Sequence, residues 1–567
     1  MTSGGVDATL HGGVLVLTLA QGPSNALTPA VRAALIAALA TRPKGCVAVV
    51  LAGAGVTFSS HVPLEPDRAS PSLQDLCQAV EGAAVPVVAA LHGLALGPGA
   101  ELLLAASARV GQTGSRIAFP EVAFGLCPAG GSTRRLARLI GAEAALQALV
   151  AGRVIGPEEA LALGLLDAVA GAEVLPAAIA LAEQLARGGG TTRRAEDAAS
   201  WQAAVAAARR AHPRALPAAR RIIDCIEAAL LLPAEAADRF EAVTRADLEA
   251  SDEAAGLCAA ALADRRAARL PAAVARAEAL PLTGLGLAGE GAALVALARA
   301  ALQAGIAVRW LHPSAAVMAA SLGMPDATGL THVDDPAELV GLALQVHARA
   351  PASGLRRPMG DGTALLVLDG AEGEMGLSLA PTGRLAEVAV VAEEAPRAIA
   401  TAIAGLRQLH LAPMLVGHPP GIGSAVLQAG NLALAHLAAT GLDTADLTAA
   451  LAPYGQRPAD LAGTGPARVL DRGQIAQRWL AALAVAGLRL LAEGRARRPS
   501  DIDHALVAGH GFARWQGGPM HLADRRGLMV LRRDLRLWAE ESPLWTPPPL
   551  LDRLIRDGLS LAALNEA

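Results

Sequence analysis

Apolar and polar positions change rhythm several times along this chain, and each change marks an element. The runs GVLVLTLA (residues 13–20) and CVAVVLAGAG (46–55) are short, apolar and rich in valine. Between them TPAVRAALIAALA spaces its bulky apolar side chains three and four apart, as a helix does. The alternation continues through VPVVAALHGLALG (85–97) and AELLLAA (100–106). Strands separated by helices predict an α/β unit up to about residue 170. From about 171 to 278 the strand pattern gives way to Ala/Arg/Glu-rich helix, as in WQAAVAAARRAHPRALPAARRIIDCIEAALLL, which reads as a connector. A second α/β stretch opens at 280–314, LPLTGLGLAGEGAALVALARAALQAGIAVRWLHPS, where a strand, a Gly-rich turn, a helix and another strand follow in the layout of a nucleotide-binding βαβ unit. From about Pro413 onward the pattern is helical again.

Length and composition sharpen this picture. A chain of 567 residues holds several units of the usual size of roughly 100–200 residues. Hydrophobic residues make up 53% but aromatic ones only 2%, so the cores must be aliphatic. A net charge of −4, with both signs mixed along the chain, predicts neither a nucleic-acid partner nor an anionic membrane surface. Cys46, Cys77, Cys127, Cys225 and Cys258 are scattered without a C-x-x-C pair, which predicts no disulfide framework and no metal site and fits a reducing, cytoplasmic setting. The stretch MTSGGVDATLHGG lacks a basic segment followed by an apolar one, so no secretory signal is expected from it. The uncharged run Gly82–Ala100 contains Pro86 and Pro98 and predicts a buried strand and turn rather than a membrane span.

The candidate chemistry starts with Glu101, just past the Gly-rich turn GPG, and Glu121, 20 residues later in FPEVAFG. Two carboxylates over one substrate can hold a water and exchange protons as acid and base when burial and repulsion separate their proton affinities. Spacing alone does not distinguish them from two solvated surface carboxylates. Five motifs in order do: GPSNALTPAVRAAL, GAGVTFSS, VPVVAALHGLALGPGAEL, FPEVAFGLCPAGGSTRRLARLIG and AGRVIGPEEALALGLLDAVA. Through them residues 12–170 resemble the crotonase (enoyl-CoA hydratase/isomerase) family. The resemblance implies that Glu101 and Glu121 are the catalytic glutamates that add water to a 2-enoyl-CoA, or shift its double bond, and that no cofactor is needed beyond the acyl-CoA substrate.

The same resemblance implies an oxyanion hole of two backbone N–H groups for the thioester oxygen. The match places them at Val62 and at Pro98, three residues before Glu101, and proline has no N–H. Three readings stand open. The enzyme works with one donor or borrows another from the Gly99 N–H, Ser60 or His61; the proline only stiffens a turn whose chemistry is lost; or the alignment is off by one and Gly97 or Gly99 is the donor.

In the second α/β stretch a dinucleotide fingerprint would need G-x-G-x-x-G and an acidic residue about 20 positions on. Gly289 and Gly291 fit, but Leu294 stands at the third glycine and His312 at the acidic position. The order of units resembles the multifunctional enzymes of fatty-acid β-oxidation, in which a hydratase is fused to an NAD-dependent 3-hydroxyacyl-CoA dehydrogenase. RPSDIDHALVAGHGFARWQGGPMHLADRRGL (498–528) carries that likeness most strongly. The resemblance puts Leu377 where the dehydrogenase has its catalytic histidine, keeps Glu387 as that residue's partner, and puts Ala425 and Val426 at an Asn-Arg pair. NAD binding and hydroxyl oxidation are therefore expected to be lost.

The sequence thus predicts a crotonase-like domain over 1–185, a helical linker over 186–278, a degenerate Rossmann-like domain over 279–412 and an all-helical dehydrogenase-type region over 413–567. The expected activity is enoyl-CoA hydration or isomerisation, with a thiolase partner implied by the resemblance. The alternatives are a non-catalytic acyl-CoA-binding or assembly protein and a full bifunctional hydratase/dehydrogenase.

Overall fold

The computed structural model describes residues 2–189, 197–212, 216–323, 328–349, 363–368, 370, 374–390, 395–458 and 470–566. It divides into two compact units, Met1–Cys258 and Ala259–Ala567.

The first unit is built on a seven-stranded sheet. Its order is Thr2–Ser3, Val6–His11, Val14–Leu19, Ala48–Gly53, Val87–Leu91, Ala108–Gln112 and Ala168–Ala170, antiparallel at the start and parallel from Val14–Leu19 onward. Side chains alternate across each strand. Leu15, Leu17, Leu19, Val49, Leu51, Val87 and Ala89 face the larger core, while Val14, Val16, Val50, Val88 and Val110 face helix Val174–Ala186 through Val174, Ala178 and Ala182. Coverage on both faces is why these strands read as unbroken apolar runs rather than as alternation. Caps fix the helix starts: Thr28 accepts from the Val31 N–H before helix Pro29–Ala40, and Ser72 and Asp75 form a capping box for helix Leu73–Glu81. The run Gly82–Ala100 becomes strand Val87–Leu91, strand Leu94–Leu96 and the start of helix Pro98–Ala105, as expected.

The expected linker does not stand apart. Up to Cys258 it belongs to the first unit, where Trp201, Ile222, Ile226 and Leu248 share one core with Leu17 and Leu51. Its helices Ala198–Ala211, Pro217–Leu231 and Ala234–Glu249 pack on the core of the first unit. An Ala-rich helix shows the same apolar stripe whether it bridges two domains or roofs one, so the sequence pattern could not separate the two.

The second unit carries an eight-stranded sheet. Its order is Leu330–Val333, Val308–Leu311, Leu285–Ala288, Leu344–His347, Ala364–Leu368, Gly376–Leu379, Leu385–Ala389 and Ala412–Val416. All pairings are parallel except Gly376–Leu379 with Leu385–Ala389. The order 3-2-1-4 around the first Gly-rich turn is that of a doubly wound, dinucleotide-binding sheet. The region from 413 on is not all-helical, because Ala412–Val416 pairs with Leu385–Ala389 as the last strand of this sheet. Five apolar residues are too few for periodicity to tell strand from helix. Helices Ile422–Ala439 and Arg472–Ala492 are long and apolar enough to cross a membrane, yet Val426, Leu434, Trp479 and Leu483 of the two lie in one buried core, which is what a central helix pair of a folded domain needs.

Candidate active site

The two expected glutamates come together in the first unit, and a small two-stranded ladder brings them there. Leu94–Leu96 pairs in parallel with Arg116–Ala118, with Leu96 opposite Ala118. Each strand then runs into a turn started by proline: Pro98 opens helix Pro98–Ala105, with Glu101 in its first turn, and Pro120 opens the 3₁₀ turn Pro120–Phe124, which carries Glu121. Gly97 joins the two halves. Its φ of 50° is in the left-handed region, and a Cβ there would lie 2.6 Å from Glu121 Oε1 and 3.2 Å from Val62 Cγ2. No other residue type fits that turn.

Both carboxylates are buried, but in different company. Glu101 Oε2 accepts from the Ala129 N–H at 3.0 Å, the Gly130 N–H at 2.6 Å and Ser132 Oγ at 2.8 Å. An ionised carboxylate only accepts, so three donors on one oxygen suit it. Glu121 has no hydrogen-bond partner on either oxygen among the described residues. Burial, and after it the nearby Glu101, pushes its pKa up to about 8. Glu101 is thus fixed by three donors, while Glu121 is placed to hold a proton.

That difference has a thermodynamic signature. Between the ordinary value of 4.5 and about 8, the unfolded chain ionises Glu121 while the fold keeps its proton. The folded state then binds more protons, so on this group's account stability is fully present below 4.5 and is lost as pH rises to about 8. Glu121→Gln removes the loss. Its melting temperature relative to wild type is expected to climb across this window, and a difference that stays constant with pH would show that Glu121 is not the buried proton holder.

Glu101, Glu121, Val62 and Pro98 all line one cavity of about 500 Å³, together with His61, Phe124, Leu126 and Arg245. Of the expected substitute donors, His61 lines the cavity, while Ser60 is not among its lining residues and gives its N–H to Ser24 O at 2.9 Å. The Gly97 N–H is spent on Ala118 O at 3.0 Å. In the first turn of helix Pro98–Ala105 the N–H groups of Gly99 and Ala100 have no acceptor among the described residues.

Sequence reasoning missed three neighbours of the pair. Ser132 lies in the quoted GGST motif, at the start of helix Ser132–Ile140, and its position just past two glycines was the available signal. Glu241 and Arg245 come from helix Ala234–Glu249 in the expected linker. Glu241 is buried and accepts from the N–H groups of Gly131 (2.6 Å), Ser132 (3.2 Å) and Thr133 (2.7 Å) and from Thr133 Oγ1 (2.5 Å). Burial first, then Glu101, pushes its pKa up to about 7. Arg245 donates to Cys127 O at 2.6 Å and to Glu249 at 2.7 Å. A Glu and an Arg four apart on a helix normally signal a solvated face, so nothing in the pattern singled them out.

The second unit holds the remaining expected positions. Gly289 and Gly291, with φ of 101° and 141°, form the turn before helix Ala292–Gln303. Leu294 is fully buried at the place of a third glycine. Between the two glycines sits the exposed Glu290, a negative charge at the turn that would receive a pyrophosphate. His312 Nδ1 already accepts from the Ser314 N–H at 3.0 Å. These residues do not fit a nicotinamide dinucleotide. A cavity of about 490 Å³ nearby is lined by Leu377, Ser378, Leu379, Ser424, Ala425 and Gln428 among others, none of which titrates near neutrality. Glu387 is buried and accepts from the N–H groups of Gly421, Ile422 and Gly423, which open helix Ile422–Ala439. Val426 lies in the helical core of this unit.

Residues 9–216 match the family described as enoyl-CoA hydratase/isomerase. The chain is 40% identical over 162 residues to a peroxisomal bifunctional enzyme of Danio rerio, covering 28% of this chain and 22% of that protein. It is 43% identical over 119 residues to a fatty acid oxidation complex subunit alpha of Shewanella amazonensis, covering 20% and 16%. It is also 30% identical over 301 residues to a peroxisomal bifunctional enzyme of Pongo abelii, covering 50% and 42%. These matches span less than half the length of each curated relative. On the family match, the ordered motifs and the sheet that carries them, the N-terminal part of this chain is a crotonase domain of the enoyl-CoA hydratase/isomerase family.

Proposed function

We propose that the chain acts on enoyl-CoA thioesters of fatty-acid β-oxidation, hydrating a 2-enoyl-CoA or moving its double bond, and that the dehydrogenase chemistry of its second unit is lost. The observation that carries the reading is the unlike pair: Glu101 held by three donors, and Glu121 buried with both oxygens unpartnered among the described residues. In hydration, Glu101 takes a proton from the attacking water, whose oxygen bonds to the β-carbon, while Glu121 delivers a proton to the α-carbon of the enolate that forms. In isomerisation the pair removes a proton from one carbon and returns one to another. Pro98 lines the cavity at the start of helix Pro98–Ala105 and has no N–H to offer the thioester oxygen, so in this reading the enzyme runs short of one oxyanion donor. The test is loss of enoyl absorbance from crotonyl-CoA with the purified full chain, followed by a 3-enoyl-CoA to weigh isomerisation. A chain with no turnover on either supports the non-catalytic reading that Pro98 favours.

For the second unit, hydroxyl oxidation needs a base beside a bound nicotinamide. Leu377 offers none, and Glu290 repels the pyrophosphate. Purified protein given a 3-hydroxyacyl-CoA and NAD⁺ is therefore expected to form no NADH above the background of the protein-free mixture. Formation of NADH, or saturable NAD⁺ binding, would instead establish the full bifunctional enzyme. A thiolase-type partner stays in the proposal through the Shewanella relative, whose name describes a subunit of a complex.

A further inference from the structure

Three buried carboxylates, Glu101, Asp238 and Glu241, crowd the start of helix Ser132–Ile140, and the proposed reaction uses only the first of them. Glu101 is gripped by Ala129, Gly130 and Ser132, and the next backbone groups along, Gly131, Ser132 and Thr133, are gripped by Glu241 from helix Ala234–Glu249. Ser132 faces both, giving its hydroxyl to Glu101 and its N–H to Glu241. We propose that Glu241 is a positioning residue for the Glu101–Glu121 pair, a carboxylate that clamps the 129–133 turn from outside so that the donors on Glu101 keep their place.

Several observations converge on this. The segment needs glycine at two places, since Gly131 has φ of 75° and a Cβ on Gly130 would lie 3.0 Å from Glu101 Oε2, and glycine gives up the most conformational freedom when it is fixed. Something else must hold it. Glu241 accepts four hydrogen bonds on its two oxygens, at the N-terminal start of a helix where negative charge is favoured. Its helix is fixed in turn by Asp238, which binds Arg134 of the clamped helix at 2.7 Å, and by Arg245, which binds Cys127 O just before the turn. Burying a carboxylate costs stability unless hydrogen bonds of good geometry satisfy its oxygens. Here every hydrogen bond that Glu241 accepts comes from the turn that holds Glu101.

The inference rests on the hydratase/isomerase reading, and the test separates the two. In Glu241→Gln the amide has one acceptor oxygen and an NH₂ that must face the N–H and hydroxyl donors of the turn. Two measurements are made on the full chain, crotonyl-CoA kinetics and amide exchange over residues 126–136, with Thr133→Val as a milder second variant that removes only one hydroxyl donor. The expected result is faster exchange at 129–133, by about 10-fold or more, with the central sheet still protected. With it, kcat falls roughly 10- to 100-fold, as misplaced catalytic groups cause, while KM stays within about threefold. Thr133→Val is expected to move both in the same direction by less. A purely structural role would lower the melting temperature and leave kcat of the folded enzyme unchanged, which would overturn the proposal, as would unchanged exchange in either variant. If wild type itself shows no turnover, the functional reading fails, and the exchange result alone decides whether Glu241 holds the turn.

Discussion

Replacing Glu121 with glutamine is expected to slow crotonyl-CoA hydration by roughly 10²- to 10⁴-fold, the usual contribution of a well-placed proton donor or acceptor. The substitution keeps the volume of the side chain and removes only its transferable proton. The surroundings demand nothing of its oxygens, because neither has a partner to lose among the described residues, so the folded structure should survive. The same assignment sets the pH profile. With its pKa pushed up to about 8 by burial and then by Glu101, Glu121 carries its proton at neutral pH and gives it up as pH rises. Wild-type kcat/KM is therefore expected to fall as pH passes about 8, and residual activity of Glu121→Gln should lack that fall. A variant that keeps more than about a tenth of wild-type activity, or that keeps the alkaline fall, would move the proton-donor role elsewhere.

How far this site could be read from the sequence depended on how local its parts are. Glu101 and Glu121 each follow a short strand and a proline turn within a few residues, and ordered motifs around them carried the resemblance, so both were legible. So was the double-wound layout after residue 280, since each strand and helix there is a contiguous run. What escaped was contact made across long separations. Glu241 meets Thr133 across 108 residues and Arg245 meets Cys127 across 118, and charged residues on an Ala-rich helix look the same in solvent as they do over a buried turn. The linker escaped for the same reason, because its apolar stripe does not say whose core it covers. The strand Ala412–Val416 escaped because five apolar residues carry no decisive period. Glu290 lay in plain view between two glycines, but its meaning depends on the turn geometry that makes that place a pyrophosphate seat.

Replacing Pro98 with glycine is expected to speed hydration, by as much as the 10²- to 10³-fold that one oxyanion-hole donor is worth. The case rests on counting donors at the helix start. The Gly97 N–H is committed to Ala118 O, position 98 has none, and the free N–H groups begin at Gly99, one residue deeper in the helix. Pro98 itself lines the cavity beside Glu101 and Glu121, so an N–H restored there lies at the site. Glycine also removes the ring, which leaves two explanations for a faster enzyme, a new donor or new space. Pro98→Ala separates them, because alanine restores the N–H and fills part of the volume. If both variants accelerate turnover, the missing donor limited the enzyme. If only glycine does, the ring obstructed the substrate and the donor count is wrong. A silent wild type revived by both variants would mean that the proline switched off an otherwise complete site, and that binding or assembly rather than turnover is what the natural chain performs. Helix stability argues against a trivial origin for any gain, since a proline compatible with the first helical position stabilises by about 0.4–1 kcal/mol through the unfolded chain, and glycine gives that up.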